Sequence, residues 1–189
     1  TGQASCNTAT PGYYSEGTVI TNGVVQNIAS SQVPCPTGTY QDQSEKTSCK
    51  DADAGYYSVG TTIVNGVVTN LASSQNACLA GSYQPNSGQS SCLDADAGYF
   101  VANAGSTSQS ACPAGTFQAN TAQTSCVDAD AGHYSVGTTI VNGVVTNLAN
   151  SQNACSAGTY QGQTGQSSCD VADAGYYVSS TAATGQTAC

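Results

Sequence analysis

The chain has 189 residues, a net charge of −9 and only two basic residues, Lys46 and Lys50. That balance excludes the basic surface on which nucleic-acid binding depends. Leu, Ile, Val and Phe together number 26, too few for an ordinary hydrophobic core, while ten cysteines offer covalent closure in its place.

The cysteines fall at positions 6, 35, 49, 78, 92, 112, 126, 155, 169 and 189. One interval is always 14 residues and alternates with an interval of 29 or 20. Such a period marks a tandem array. In chain order the spacing predicts a partial repeat with a hairpin over 1–34, a repeat with a hairpin over 35–77 and a short repeat over 78–111. A further repeat with a hairpin over 112–154 and a short, incomplete repeat over 155–189 complete the series. Thr1 falls inside a repeat with no leader before it, so the chain reads as a processed product or a fragment.

Each repeat has two halves. The first is bounded by cysteines, as in CPAGTFQANTAQTSC at 112–126; the second opens with DADAGYY at 51–57 or a variant of it. Both contain a small residue, then Gly, one further residue and an aromatic. The 29-residue interval exceeds the 20-residue one because it carries an extra segment, TTIVNGVVTNLA at 61–72 and again at 138–149, with a looser copy at 17–29. Asn-Gly between β-branched runs signals a hairpin with a type I′ turn. Turns at Asn22-Gly23, Asn65-Gly66 and Asn142-Gly143 place Val64 opposite Val67, Ile63 opposite Val68 and Thr62 opposite Thr69. Ile63 and Val68 then share one face, and Val64 and Val67 the other. One face is expected to cover the module's own small core and the other to meet a neighbouring repeat or chain; packing of both faces within the module is the alternative. The candidate assembly residues are Ile20, Val25, Ile63, Val64, Val67, Val68, Ile140, Val141, Val144 and Val145. Gly, Pro and β-branched residues leave little room for helix, the exception being a short turn over 70–77.

Two regular disulfide pairings fit. Either the 14-residue segments close, as Cys35–Cys49, Cys78–Cys92, Cys112–Cys126 and Cys155–Cys169, or the longer intervals close. The first leaves Cys6 and Cys189 to partners outside this chain or on another subunit; the second uses all ten. A fixed interval behaves as a constraint and one that tolerates insertions as a loop, which favours the first. Sequence by itself does not decide connectivity.

The segment CPAGTFQANTAQTSC and its three sisters resemble the ephrin-receptor-like cysteine-rich repeat and, more distantly, the first loop of a TNF-receptor module. The resemblance implies that the two bounding cysteines pair with each other. Where the family has a further cysteine, this chain has Ala52, Ala95, Ala129 and Ala172, so the resemblance implies no receptor-like ligand binding. Degenerate arrays of this kind occur in large microbial surface proteins.

Eight of the eleven acidic residues sit just after a cysteine. Asp-x-Asp-x-Gly looks like the opening of a calcium loop, with Asp51, Asp53, Asp94, Asp96, Asp128 and Asp130 as donors, yet no Glu follows to close the shell. The preferred reading is turns in which each carboxylate accepts backbone N–H groups. No cofactor is expected, calcium being the alternative. His133 is the only histidine and stands at a position otherwise held by Tyr, which supports neither a zinc site nor a catalytic triad.

The expected architecture is therefore all-β, with small disulfide-stapled hairpin modules in an elongated tandem-repeat rod. The expected function is structural, not enzymatic: an extracellular or cell-surface subunit of a fibre, filament or sheath whose partners are copies of itself. A stalk carrying an adhesin or receptor domain, with weak glycan or calcium binding, is the alternative. Ser and Thr number 47, and no Asn-x-Ser/Thr acceptor occurs, so any glycan would be O-linked. No run approaches the ~18 apolar residues of a membrane span.

Overall fold

The computed structural model describes residues 8–16, 19–22, 24–27 and 32–189. Among them there is no helix; the strands form twelve two-stranded sheets. The chain divides into two compact units. One comprises Thr1–Cys78, Gln84–Leu93 and Gly105–Thr107; the other comprises Leu79–Tyr83, Asp94–Ala104 and Ser108–Cys189.

The building block is shorter than the cysteine spacing suggests. Cys112 is fully buried, and so are Ala95, seventeen residues before it, and Ala129, seventeen after it. Cys35, Ala52, Cys78 and Cys155 are fully buried in the same way, and Ala9 is nearly so. Each begins a half-unit of 17 residues, or of 26 where a nine-residue insertion is present. Cysteine-led and alanine-led half-units alternate along the chain.

The half-unit beginning at Cys112 shows why the sequence folds this way. Pro113 to Thr116 form a turn closed by the Thr116 N–H on the Pro113 carbonyl at 3.0 Å, with Gly115 at φ +87 in its third position. That is a type II turn, which needs positive φ there and so favours glycine. Thr116–Phe117 then pairs antiparallel with Val127–Asp128. The Ala129 N–H donates to the Gly115 carbonyl at 2.9 Å, starting the next half-unit, and the Gly115 N–H donates to the Ser135 carbonyl at 2.7 Å. In the other unit, Ala52 and Ser58 make the same bonds with Gly38.

Half-units of the same kind stack on each other within each unit. A Cβ built on Gly115 would lie 2.1 Å from the Gly165 carbonyl oxygen, and one on Gly38 would lie 2.2 Å from that of Gly88. No side chain fits in either gap. Turn geometry and backbone contact therefore both require glycine at these positions.

The interior mixes small apolar residues, mainly Ala and Cys, with buried polar side chains. Gln41, Gln84, Gln118 and Gln161 are buried. Gln118 donates through Nε2 to the Ser125 carbonyl at 2.9 Å and accepts the Asn120 N–H through Oε1 at 3.1 Å. This ties down the loop inside the disulfide, and the other three glutamines make the same pair of bonds. The corresponding position in alanine-led half-units is Ser58 or Ser135 where the insertion is present and Val101 or Val178 where it is not. The serine hydroxyl is needed because it accepts the N–H of the glycine that begins the insertion, Gly60 or Gly137, at 3.3 Å. No buried side-chain polar atom among the described residues lacks a partner, as burial of polar groups demands.

The helical turn expected over 70–77 is absent. The chain bends at Ser73 and Ser74, and Asn76–Ala77 pairs as a strand with Tyr56–Tyr57. Gln75 Oε1 accepts the Asp53 N–H at 2.6 Å, which ties this segment to the start of its own half-unit.

Gly115 and Gly158 separate the two demands on glycine. Both have φ near +88, but a Cβ on Gly158 meets nothing within 4 Å. Gly158→Ala should cost about 1 kcal/mol from backbone strain alone. Gly115→Ala should cost at least about 2 kcal/mol more, because the backbone contact must open. Guanidinium denaturation of the two variants measures the difference.

Candidate functional site

The feature that the interior does not consume is the inserted hairpin. In the copy at 62–70, Asn65 has φ 51 and Gly66 has φ 77; in the copy at 139–147, Asn142 has φ 50 and Gly143 has φ 77. Positive φ at both central positions is the type I′ turn expected of Asn-Gly. Val64 pairs with Val67 and Ile63 with Val68. Thr62, however, pairs with Asn70 and not with Thr69, because the register shifts between Thr62 and Ile63. The shift is a bulge, and the hydroxyls of Thr62 and Thr69 still meet at 2.9 Å. The 139–147 copy repeats the register and the bulge. In the third copy, Ile20 pairs with Val25 and Asn22 has φ 52; the side chains of Ile20 and Val25 lie outside the described residues.

The root of each hairpin is anchored. The Thr61 N–H donates to the Cys35 carbonyl at 2.8 Å, and its Oγ1 donates to the Gly12 carbonyl at 2.7 Å while accepting the Ala72 N–H at 3.0 Å. Leu71 packs where a Cβ on Gly12 would stand. Thr138, Ala149 and Leu148 repeat the arrangement on Cys112 and Gly98. Asn70 and Asn147 each donate a side-chain amide to the carbonyl of the glycine that opens the insertion.

Beyond the root, nothing covers the hairpin. Ile63, Val64, Val67 and Val68 are 45% to 64% exposed, and Ile140, Val141, Val144 and Val145 cover the same range. The expectation that one face would pack on the module's core is therefore corrected: both faces are open. The reason lies in the interior, where Ala, Cys, Gln and Ser already fill the space and leave no apolar surface for the hairpin to cover. Each hairpin is a sheet of two strands only, so both outer edges are also unpaired. Neither copy contains a charged residue.

Disulfides join Cys35 to Cys49, Cys78 to Cys92, Cys112 to Cys126 and Cys155 to Cys169, each across 14 residues. Cys189 is free and exposed. Cys6 lies outside the described residues.

The aspartates divide into two sets. Asp51, Asp94 and Asp128 are exposed on short strands. Asp53, Asp96 and Asp130, together with Asp173, are each gripped by a glutamine that sequence reasoning overlooked. The Asp96 N–H donates to Gln109 Oε1 at 2.7 Å, and Gln109 Nε2 donates to Asp96 Oδ2 at 2.7 Å. Gln75 holds Asp53, Gln152 holds Asp130 and Gln186 holds Asp173 in the same way. Thr10 replaces the aspartate opposite Gln32, giving its N–H and hydroxyl to Gln32 Oε1. The carboxylates thus accept a side-chain amide, not the turn N–H groups expected; the turn bond itself is made by the backbone, from the Tyr99 N–H to the Asp96 carbonyl at 3.0 Å. Among the described residues no three His, Cys, Asp or Glu side chains cluster to hold a metal ion.

Gln109 lies fourteen residues after Ala95, as Cys126 lies fourteen after Cys112. The glutamine clamp therefore occupies the closing-cysteine position in the half-units that have no disulfide. The recurrent Ser-Gln before each opening cysteine was its only trace in the sequence.

Lys50 Nζ lies 2.6 Å from Asp42 Oδ1, an exposed ion pair. The Lys50 hydrogen bond holds the Asp42 carboxyl below the usual carboxylate range and raises the Lys50 ammonium. Exposed pairs of this kind contribute little to stability. His133 Nδ1 lies 3.4 Å from the Ala131 carbonyl oxygen.

The chain matches no protein-family model and has no significant similarity to a curated protein. No helix among the described residues is long and apolar enough to cross a membrane.

The equivalence of clamp and disulfide is testable. Ala95→Cys combined with Gln109→Cys should form a fifth disulfide on oxidative folding, visible as a loss of two mass units beyond the eight lost by the four native disulfides relative to the fully reduced form. It should raise stability by up to roughly 3 kcal/mol in the loop-closure picture. Two free thiols at these positions would refute the equivalence.

Proposed function

We propose that this protein is an extracellular structural repeat protein, a subunit or segment of a surface fibre, filament or sheath. The observation that carries the proposal is the pairing of two properties: every other half-unit closed covalently by its own disulfide, and uncharged apolar hairpins left open on both faces. Each half-unit holds its own shape, so the array does not depend on a single large core. The hairpins then supply surface for contacts between copies.

Further features support this reading. Four disulfides suit an oxidising compartment. Identical repeated modules give repeated contact geometry, and heterologous contacts that do not close on themselves grow filaments. The absence of Arg and the presence of only two Lys remove most trypsin-type cleavage sites, which suits an exposed fibre. The short segments are read as degenerate ephrin-receptor-like repeats of the sort found in microbial surface arrays. The reasons are their Cys-x-x-Gly-Thr/Ser-aromatic opening, with Pro after the cysteine in two of the four, and the disulfide that closes each one.

Negative-stain electron microscopy of the oxidised, purified chain tests the proposal. Ordered fibres of uniform diameter are expected. A chain that remains monomeric at its solubility limit would replace the fibre with the stalk of an adhesin or receptor ectodomain.

A further inference from the structure

We infer that the inserted hairpins are the sites through which one copy of this chain joins another, hairpin to hairpin, and that joining requires more than one hairpin per chain. The inference rests on the fibre reading above and names the contact that builds the fibre.

The occupant is argued from charge, size and number. The chain carries eleven acidic residues against two basic ones, yet the hairpins at 62–70 and 139–147 contain no charge. They are places where two copies of this acidic protein meet without bringing like charges together. A basic partner would find its counter-charges elsewhere, on the aspartates of the short strands. A second hairpin of identical sequence offers a matching apolar face and a matching open edge. Parallel in-register edge pairing between identical segments aligns Val and Ile against their own kind.

Size sets the need for several sites. A stable interface takes about 20–30 residues from each partner, and a hairpin of nine residues supplies fewer. One hairpin contact is therefore weak. The chain has three copies of the sequence, two of them identical, and linked weak contacts gain strength through effective concentration. Valency also decides the product. One self-complementary contact per chain ends at a dimer, whereas two or more allow growth.

The test replaces the most exposed hairpin residues, Val67 and Val144, each 64% exposed, and Val24 at the same place after Asn22-Gly23. The variants are Val67→Glu, Val144→Glu and the triple Val24→Glu, Val67→Glu, Val144→Glu, followed by sedimentation velocity over a concentration series. Circular dichroism and a count of formed disulfides serve as the folding controls. The wild type should assemble. Each single variant should raise the concentration at half-assembly by roughly tenfold or more, and the folded triple variant should remain monomeric throughout.

Assembly of the triple variant at the wild-type concentration overturns the inference and leaves the fibre reading intact, with another contact responsible. Limited oligomers that form in the wild type and vanish in the triple variant support the hairpin contact and contradict the fibre. A wild type monomeric at every concentration overturns both. Hairpin-dependent co-sedimentation with phosphatidylcholine vesicles, without self-association, overturns the inference in favour of a lipid surface.

Discussion

A disulfide from a fully buried cysteine to the residue fourteen positions later is the constraint on which the structure depends. Each such closure removes roughly 3 kcal/mol of conformational freedom from the unfolded chain in the loop-entropy picture. Four of them together match the whole net stability of an ordinary domain, about 5–15 kcal/mol. Hydrophobic burial cannot take this role here, because the buried apolar side chains among the described residues are mainly Ala and Cys, with Val101 and Val178 the only branched aliphatic ones. Once the loops are closed, the remaining geometry follows from backbone bonds. The glycine of each turn accepts from the first residue of the next half-unit, and Gly38, Gly55, Gly81, Gly115 and Gly132 also lie against a backbone carbonyl of a like half-unit.

The alternating half-units show two chemical solutions to one geometric problem. Cys112 with Cys126 closes a loop covalently; Ala95, with Gln109 holding Asp96, closes the equivalent loop through two hydrogen bonds. The second closure is exposed to water and weaker than the first, since a net hydrogen bond contributes about 1 kcal/mol. Weaker closure coincides with tolerance: the nine-residue insertions occur only in alanine-led half-units. A chain that keeps its covalent closures in every other half-unit can vary what projects from the halves between. The projecting hairpins are then free to serve the outside of the molecule, because the interior asks nothing of them.

Much of the fold was legible in the sequence because its signals are local. Asn65-Gly66 specifies its own turn, and Val64, Val67, Ile63 and Val68 fall into the expected register around it. The constant fourteen-residue interval carried the closure of the short segments, and the absence of helix followed from Gly, Pro and β-branched content. What failed were statements about which surfaces meet. The faces of the hairpin could not be assigned, because alternation says which side chains share a face and not whether anything lies beneath it. The bulge before Ile63 escaped because it arises from the anchoring of Thr61 and Asn70 on Cys35 and Gly60. The glutamine clamps escaped because Gln75 and Asp53 lie 22 residues apart, and the recurrent Ser-Gln does not say which distant residue it meets.

The central claim is that covalent closure, and not an oily interior, holds the array. Amide hydrogen exchange measures this most directly. In the oxidised chain the Ala129 N–H, bonded to the Gly115 carbonyl, should be strongly protected. After full reduction and alkylation under native buffer conditions that protection should disappear. Retention of the oxidised level of protection at Ala129 in the reduced, alkylated chain would contradict the account.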